Sequence, residues 1–211
     1  MLLGKHLRTR RWTGRGRTVI VALDHGIHSG PASGLENPLE IVKICDGAGA
    51  DGVLVTPGVL EQVHASLGDL AVILRLDGCV TRESAGGPMR IFCEVEQALK
   101  LGVDAALVTA TVGSPYESHE LEKVGRTCSK GREYGLPIIA EMLSQRMSAD
   151  FGAAGSRIAE MPDEIAKDIG LASRVGAELG ADAIETRYCG DRESFRRVVA
   201  SVGSRGRSRR V

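Results

Sequence analysis

Aromatic residues are scarce in this chain, with one Trp, three Tyr and three Phe in 211 residues, or 3%. Proteins that read nucleobases stack them on aromatic rings, so the shortage argues against such a platform. It fits an interior of aliphatic layers, as in α/β barrels. An excess of one charge is lacking too, since 27 Lys and Arg balance 27 Asp and Glu, and no net field steers the protein toward nucleic acid or an acidic membrane. No window approaches ~18 uninterrupted apolar residues, and the basic amino terminus (Lys5, Arg8, Arg10, Arg11, Arg15, Arg17) is not followed by the apolar stretch of a secretion signal. That terminus reads as a solvated first helix in preference to a basic arm that touches phosphate. The five cysteines (Cys45, Cys79, Cys93, Cys128, Cys189) never fall at a Cys-x-x-Cys spacing, which points away from a zinc knuckle or a disulfide framework. These absences describe a cytoplasmic protein with reduced thiols, whose partner is a small molecule rather than nucleic acid or a membrane.

What the chain does have is a repeated joint. Gly49-Ala50-Asp51, Gly102-Val103-Asp104 and Gly180-Ala181-Asp182 each follow a segment of helical spacing and precede a short apolar run. This is the pattern of a parallel α/β fold in which helices return to strands. Strands are predicted at 18–23, 52–56, 71–77, 105–112, 138–143 and 183–188, with helices at 39–48, 91–101, 121–134, 163–179 and 193–202. Asp163 is a plausible cap of the fourth helix. Two long loops, 26–38 and 144–162, leave the carboxyl ends of strands, and the second has the Ser, Ala and Gly content of a lid. Six strand-helix units are countable, forming one domain over 1–202, and 203–211 is a basic low-complexity tail. An open six-stranded sheet leaves two edges that must be covered or paired, which predicts an oligomer or an incomplete barrel.

In such folds the chemistry sits at the carboxyl ends of the strands. Asp24-His25-Gly26 stands at the first of these ends, with Asp24 either an acid/base group or the cap of the next turn. Residues two apart share a strand face, so Glu141 with Leu143, and Glu185 with Arg187, point alike, and Arg75 and Asp77 alternate the same way. If those faces look inward, Glu141 and Glu185 lie about 5 Å apart on neighbouring strands. Two such carboxylates share a proton, pair with Arg187, or hold a divalent cation together with Asp24. His28 and His64 stand singly, without ligand spacing, and read as surface residues.

With these residues in view, the chain resembles the archaeal-type class I aldolases, which join fructose-bisphosphate aldolases, aminodideoxyheptulosonate synthases and autoinducer-2 thiolase relatives. The resemblance runs from about Gly4 to Val202. It rests on the run 18–26 ending in Asp24-His25-Gly26, on Gly30-Pro31, Gly34-Leu35 and Gly113-Ser114, on Tyr134-Gly135-Leu136-Pro137, and on the run 176–182. It implies a TIM (β/α)8-type barrel, here apparently truncated after the sixth strand-helix unit, a ring-shaped homo-oligomer (a decamer in the family), and a small sugar phosphate or ketone as substrate. It also implies a Schiff-base lysine in a Lys-Thr-x-Tyr-x-Gly frame at the end of strand six.

Here that frame reads Glu185-Thr186-Arg187-Tyr188-Cys189-Gly190, so a carboxylate stands at the lysine's place. Leu143 stands where the family's tyrosine serves proton transfer, and of the family's acid/base set Asp24 remains. The family's phosphate-binding amides follow strands seven and eight, beyond the six counted here. The expected site is therefore Asp24, Glu141 and Glu185 as catalytic groups, with His25, Asp77, Arg187 and Tyr188 around the substrate. No cofactor is implied beyond a possible divalent metal on the three carboxylates. Three readings follow: an aldolase-family enzyme with non-Schiff-base chemistry, an inactive paralogue that binds, or a fragment, the last motivated by the change of composition after Val202.

Overall fold

The structure is a computed structural model that describes residues 3–13, 16–84, 86–148 and 162–203. Helix α1 (Leu3–Thr13) precedes β1 (Ile20–Ala22), the single turn α2 (Gly26–Ser29) and α3 (Pro38–Gly47). Then come β2 (Gly52–Val55), α4 (Pro57–Val63), β3 (Ala71–Arg75), the short β4 (Asp77–Gly78) and β5 (Arg90–Ile91), and α5 (Val95–Lys100). β6 (Ala105–Val112), α6 (Glu117–Tyr134), β7 (Ile138–Ser144), the turn α7 (Gln145–Ser148), α8 (Pro162–Glu178), β8 (Ala183–Glu185) and α9 (Arg192–Ser201) complete the chain. Six strands make one parallel sheet in the order β1-β2-β3-β6-β7-β8, a curled half-barrel, while β4 and β5 form a separate antiparallel ribbon.

The three Gly-x-Asp joints build the amino-terminal rim by one device. Each glycine has positive φ (+77° at Gly49, +75° at Gly102, +100° at Gly180), the left-handed turn that ends the preceding helix and that a side chain would strain. Each aspartate then grips one residue of the neighbouring segment twice. Asp51 N–H donates to Val19 O at 2.9 Å and its Oδ2 accepts from Val19 N–H at 2.8 Å. Asp104 does the same to Val72, at 2.9 Å in both directions, and Asp182 to Ile138, at 2.8 and 2.9 Å. The motif thus satisfies backbone groups at the start of a strand that its neighbour would otherwise leave unpaired.

Helix α1 closes this rim, and here the expectation of a solvated basic helix fails. Lys5 Nζ lies 2.7 Å from Asp182 Oδ2, Arg11 Nε 3.0 Å from Asp104 Oδ1, and Arg8 donates to Val103 O at 2.7 Å. Trp12 is buried against Leu54, Ile73, Leu107 and Ile139 on the concave face of the sheet. Lys5 and Arg11 are spent on two of the Asp joints and Arg8 on the carbonyl of Val103, and the one tryptophan plugs the mouth between them. The convex face carries the larger apolar core, from Val53, Leu74, Val108, Ile138 and Met142 outward to the helices.

Several boundaries moved for local reasons. The predicted third strand breaks at Leu76, because Asp77–Gly78 pairs with Arg90–Ile91, and α5 therefore begins only at Val95. Helix α4, absent from the sequence reading, starts at Pro57, with Thr56 Oγ1 accepting from Val59 N–H. Asp163 lies in the first turn of α8, where its Oδ1 receives Ser194 Oγ and Arg197 from α9. The lid predicted over 144–162 enters helix α7 directly from β7, and 149–161 fall outside the described residues, as does most of the tail, from 204 onward.

Candidate active site

Alternation along each strand sorts the concave face into layers. Ile73, Leu107, Ile139, Ala183 and Ala22 belong to or pack on the apolar cluster around Trp12, and two residues further along the same face come Arg75, Thr109, Glu141, Glu185 and Asp24. The apolar layer gives way to a polar one at the carboxyl ends. Register aligns it, with Thr109 opposite Glu141 and Glu141 opposite Glu185.

Arg75 is the hub. The guanidinium is buried, with Nη2 donating to Glu141 Oε2 at 2.6 Å, Nη1 to Thr109 Oγ1 at 2.8 Å and Nε to Asp24 Oδ2. Thr109 Oγ1 in turn donates to Glu141 Oε2 at 2.9 Å. Burial works against the charge on Arg75, but the fields of Glu141, Asp24 and Asp77 outweigh it and raise its pKa above the usual arginine value. Two carboxylates and one guanidinium form a closed, charge-assisted set.

Glu185 is outside that set. Glu185 itself is exposed to solvent from the open edge of the sheet, while its carboxyl lies among the acids of the polar layer, where desolvation and then the charges of Glu141 and Asp24 push its pKa up to about 7, with Arg75 opposing; solvent at that edge tempers the desolvation.

The other expected residues are placed differently. Asp77 is fully buried and faces away from any open space, its Oδ2 accepting from Lys123 Nζ and from Thr109 N–H at 2.8 Å. His25 is half exposed beside Asp24, with Nδ1 4.0 Å from Asp24 Oδ1. Because β8 ends at Glu185, strand alternation no longer governs Arg187, which is half-buried beyond the strand. The Tyr188 ring packs on Phe195 of α9 at 5.3 Å between centroids. The proposed carboxylate trio is not gathered as a ligand set, because Arg75 takes an inward oxygen of both Asp24 and Glu141. Among the described residues no group of three or more His, Cys, Asp or Glu is disposed to hold a metal.

Three participants stand outside the site expected from the sequence, where Arg75 enters only as sharing a strand face with Asp77. Arg75 ends an otherwise apolar strand, Ala71–Arg75, and a charge there signals a buried partner. Thr109 shares a face with it one strand over. Lys123 belongs to the inward stripe of α6 (Glu120, Lys123, Val124, Thr127, Cys128, Gly131), and charges within such a stripe mark buried pairing.

Comparisons agree with this architecture. The family model for DeoC/LacD family aldolase matches residues 18–204. A 2-amino-3,7-dideoxy-D-threo-hept-6-ulosonate synthase from Halobacterium salinarum is 30% identical over 93% of this chain and 69% of its own length. A class 1 fructose-bisphosphate aldolase from Thermoproteus tenax is 32% identical over 90% of this chain and 69% of its own. A solved Schiff-base-forming fructose-1,6-bisphosphate aldolase superposes with TM-score 0.78 and 30% identity, over 95% of this chain and 77% of that one. The chain thus spans about 69% of the length of these two curated relatives. On the family match and the shared fold, this chain belongs to the DeoC/LacD family of aldolases.

Proposed function

We propose that this protein acts on a small hydroxy-ketone or its phosphate by acid–base chemistry, without an imine. The observation that carries this reading is the unequal setting of two carboxyls in register: Glu141 is tied to the Arg75 guanidinium, while Glu185 stands outside that set with its pKa raised toward neutrality. The resemblance puts Glu185 at the position of the family's Schiff-base lysine, and a carboxylate cannot form that bond. In a retro-aldol step, Glu141 takes the proton of the β-hydroxyl as its oxygen becomes the new carbonyl. The electron pair of the broken C–C bond enters a C=C bond, and the ketone oxygen receives the proton of Glu185. The products are an aldehyde and an enol, and the proton gained by Glu141 equals the one lost by Glu185. Asp24, buried under Arg75, keeps the guanidinium in place for Glu141.

The test offers hydroxy-ketones and their phosphates in D2O and follows exchange next to the carbonyl, with borohydride added in a parallel arm. Exchange without any borohydride-trapped adduct is expected, falling about 10²–10⁴-fold in Glu185→Gln. A trapped lysine adduct in the wild type refutes the reading. Glu185→Lys tests the same site from the other side, since a gained adduct there would locate the lysine position of the family. A binding role without turnover is favoured by one observation, that Arg75, Asp24, Thr109 and Glu141 are tied to one another by hydrogen bonds. Ligand-induced stabilisation without exchange would select it.

A further inference from the structure

We propose that Lys123 is a positioning residue: by holding Asp77, it leaves the Arg75 guanidinium turned to Asp24, Thr109 and Glu141, and so sets the charge that Glu185 faces. The inference rests on the acid–base reading above and concerns how the same site is kept in that state.

Lys123 is buried on α6, with Nζ donating to Asp77 Oδ2 and to Met89 O at 2.9 Å. One turn earlier, Glu120 accepts from Met89 N–H at 3.0 Å and from Thr111 N–H at 2.7 Å, so the helix grips both backbone groups of Met89 and fixes where the ammonium sits. Asp77 is wholly buried, and apart from Lys123 its hydrogen-bond donor is the Thr109 amide. Its Oδ1 makes no hydrogen bond, and Arg75 Nη1 stands 3.5 Å from it. A buried carboxylate without a cation is strongly unfavourable. Arg75 already makes a looser ion pair with Asp77, and were Lys123 absent it would be the one cation partner left among the described residues, so that tightening the pair would break its bond to Thr109 and loosen those to Asp24 and Glu141. The charged groups acting on Glu185 are Glu141 from β7, Asp24 from the end of β1 and Arg75 from β3, and of these Arg75 alone favours its ionised form. Withdrawing Arg75 therefore drives Glu185 to hold its proton more tightly.

The experiment is a carboxyl-carbon NMR titration of the full chain with labelled glutamate, Glu185 being assigned by Glu185→Gln. Lys123→Met is expected to raise the Glu185 midpoint by about one pH unit or more. Lys123→Met/Asp77→Asn, which removes the orphaned charge as well, is expected to restore the wild-type midpoint. A folded Lys123→Met with an unmoved midpoint overturns the proposal, and so does a double variant as displaced as the single one. If Lys123→Met does not fold, Lys123→Gln, which also removes the charge but keeps a donor for Asp77 and Met89, takes its place under the same criterion. A wild-type Glu185 midpoint in the ordinary carboxylate range is a separate outcome, which refutes the acid–base reading itself.

Discussion

Glu141 and Glu185 face each other across one strand spacing, but their surroundings differ: one accepts from a guanidinium and a hydroxyl, the other meets desolvation and like charge. The difference has a consequence for stability as well as chemistry. An unfolded glutamate releases its proton near pH ~4.3, whereas folded Glu185 keeps it to about 7. Between those values the folded state holds more protons than the unfolded one, so stability contributed by this group falls as pH rises through the window and levels off above it. Glu185→Gln is expected to remove that slope, leaving the variant relatively more stable than wild type at about pH 8. Urea denaturation across about pH 4 to 8 measures this, and an unchanged slope would contradict the assignment. The adjacency of these two carboxyls was legible in the sequence from strand alternation. The role of Arg75 was not, because its partners Asp24, Thr109 and Glu141 lie 34 to 66 positions away along the chain.

At the scale of elements, the Gly-x-Asp joint does two jobs with two residues. Glycine turns the chain where a side chain is strained, and aspartate supplies both a donor and an acceptor to the next strand over. At Gly102 an added Cβ would meet nothing within 4 Å, so Gly102→Ala isolates the backbone term, about 1–2 kcal/mol. Asp104→Ala strips the Val72 amide of its acceptor and Arg11 of its partner, at a cost of about 1–3 kcal/mol. Burial pushes the Asp104 carboxyl up, against the Val72 amide, Arg11 and Arg8, which marks this joint as an enclosed one. Denaturant midpoints of the two variants check both numbers. The joint itself was visible in the sequence as a threefold repeat, whereas its grip on one neighbouring residue was not. Helix α4 was missed although Thr56-Pro57 carries a start signal, because the seven residues of Pro57–Val63 are too short for periodicity to show.

For the molecule as a whole, Trp12 joins the helix at one rim to the strands that carry the site at the other, packing beneath the layer that Arg75 and Glu141 crown. Trp12→Ala is expected to cost about 3–5 kcal/mol, read from chemical denaturation, because a large buried side chain leaves a cavity the sheet cannot refill. A loss below about 1 kcal/mol would show that α1 is only loosely seated. The sequence by itself determined the parallel α/β class, the three joints and which residues share a strand face with Glu141 and with Glu185, since each follows from local spacing: glycine where φ must be positive, alternation where a strand has two faces. Only the tertiary structure decided that the basic α1 is a plug rather than a solvated helix, that Asp77 belongs to Lys123, and that Arg75 occupies the space between the carboxylates. Those outcomes depend on which charges meet when strands distant in sequence become neighbours, and burial, which makes each pairing obligatory, exists only once the sheet has formed.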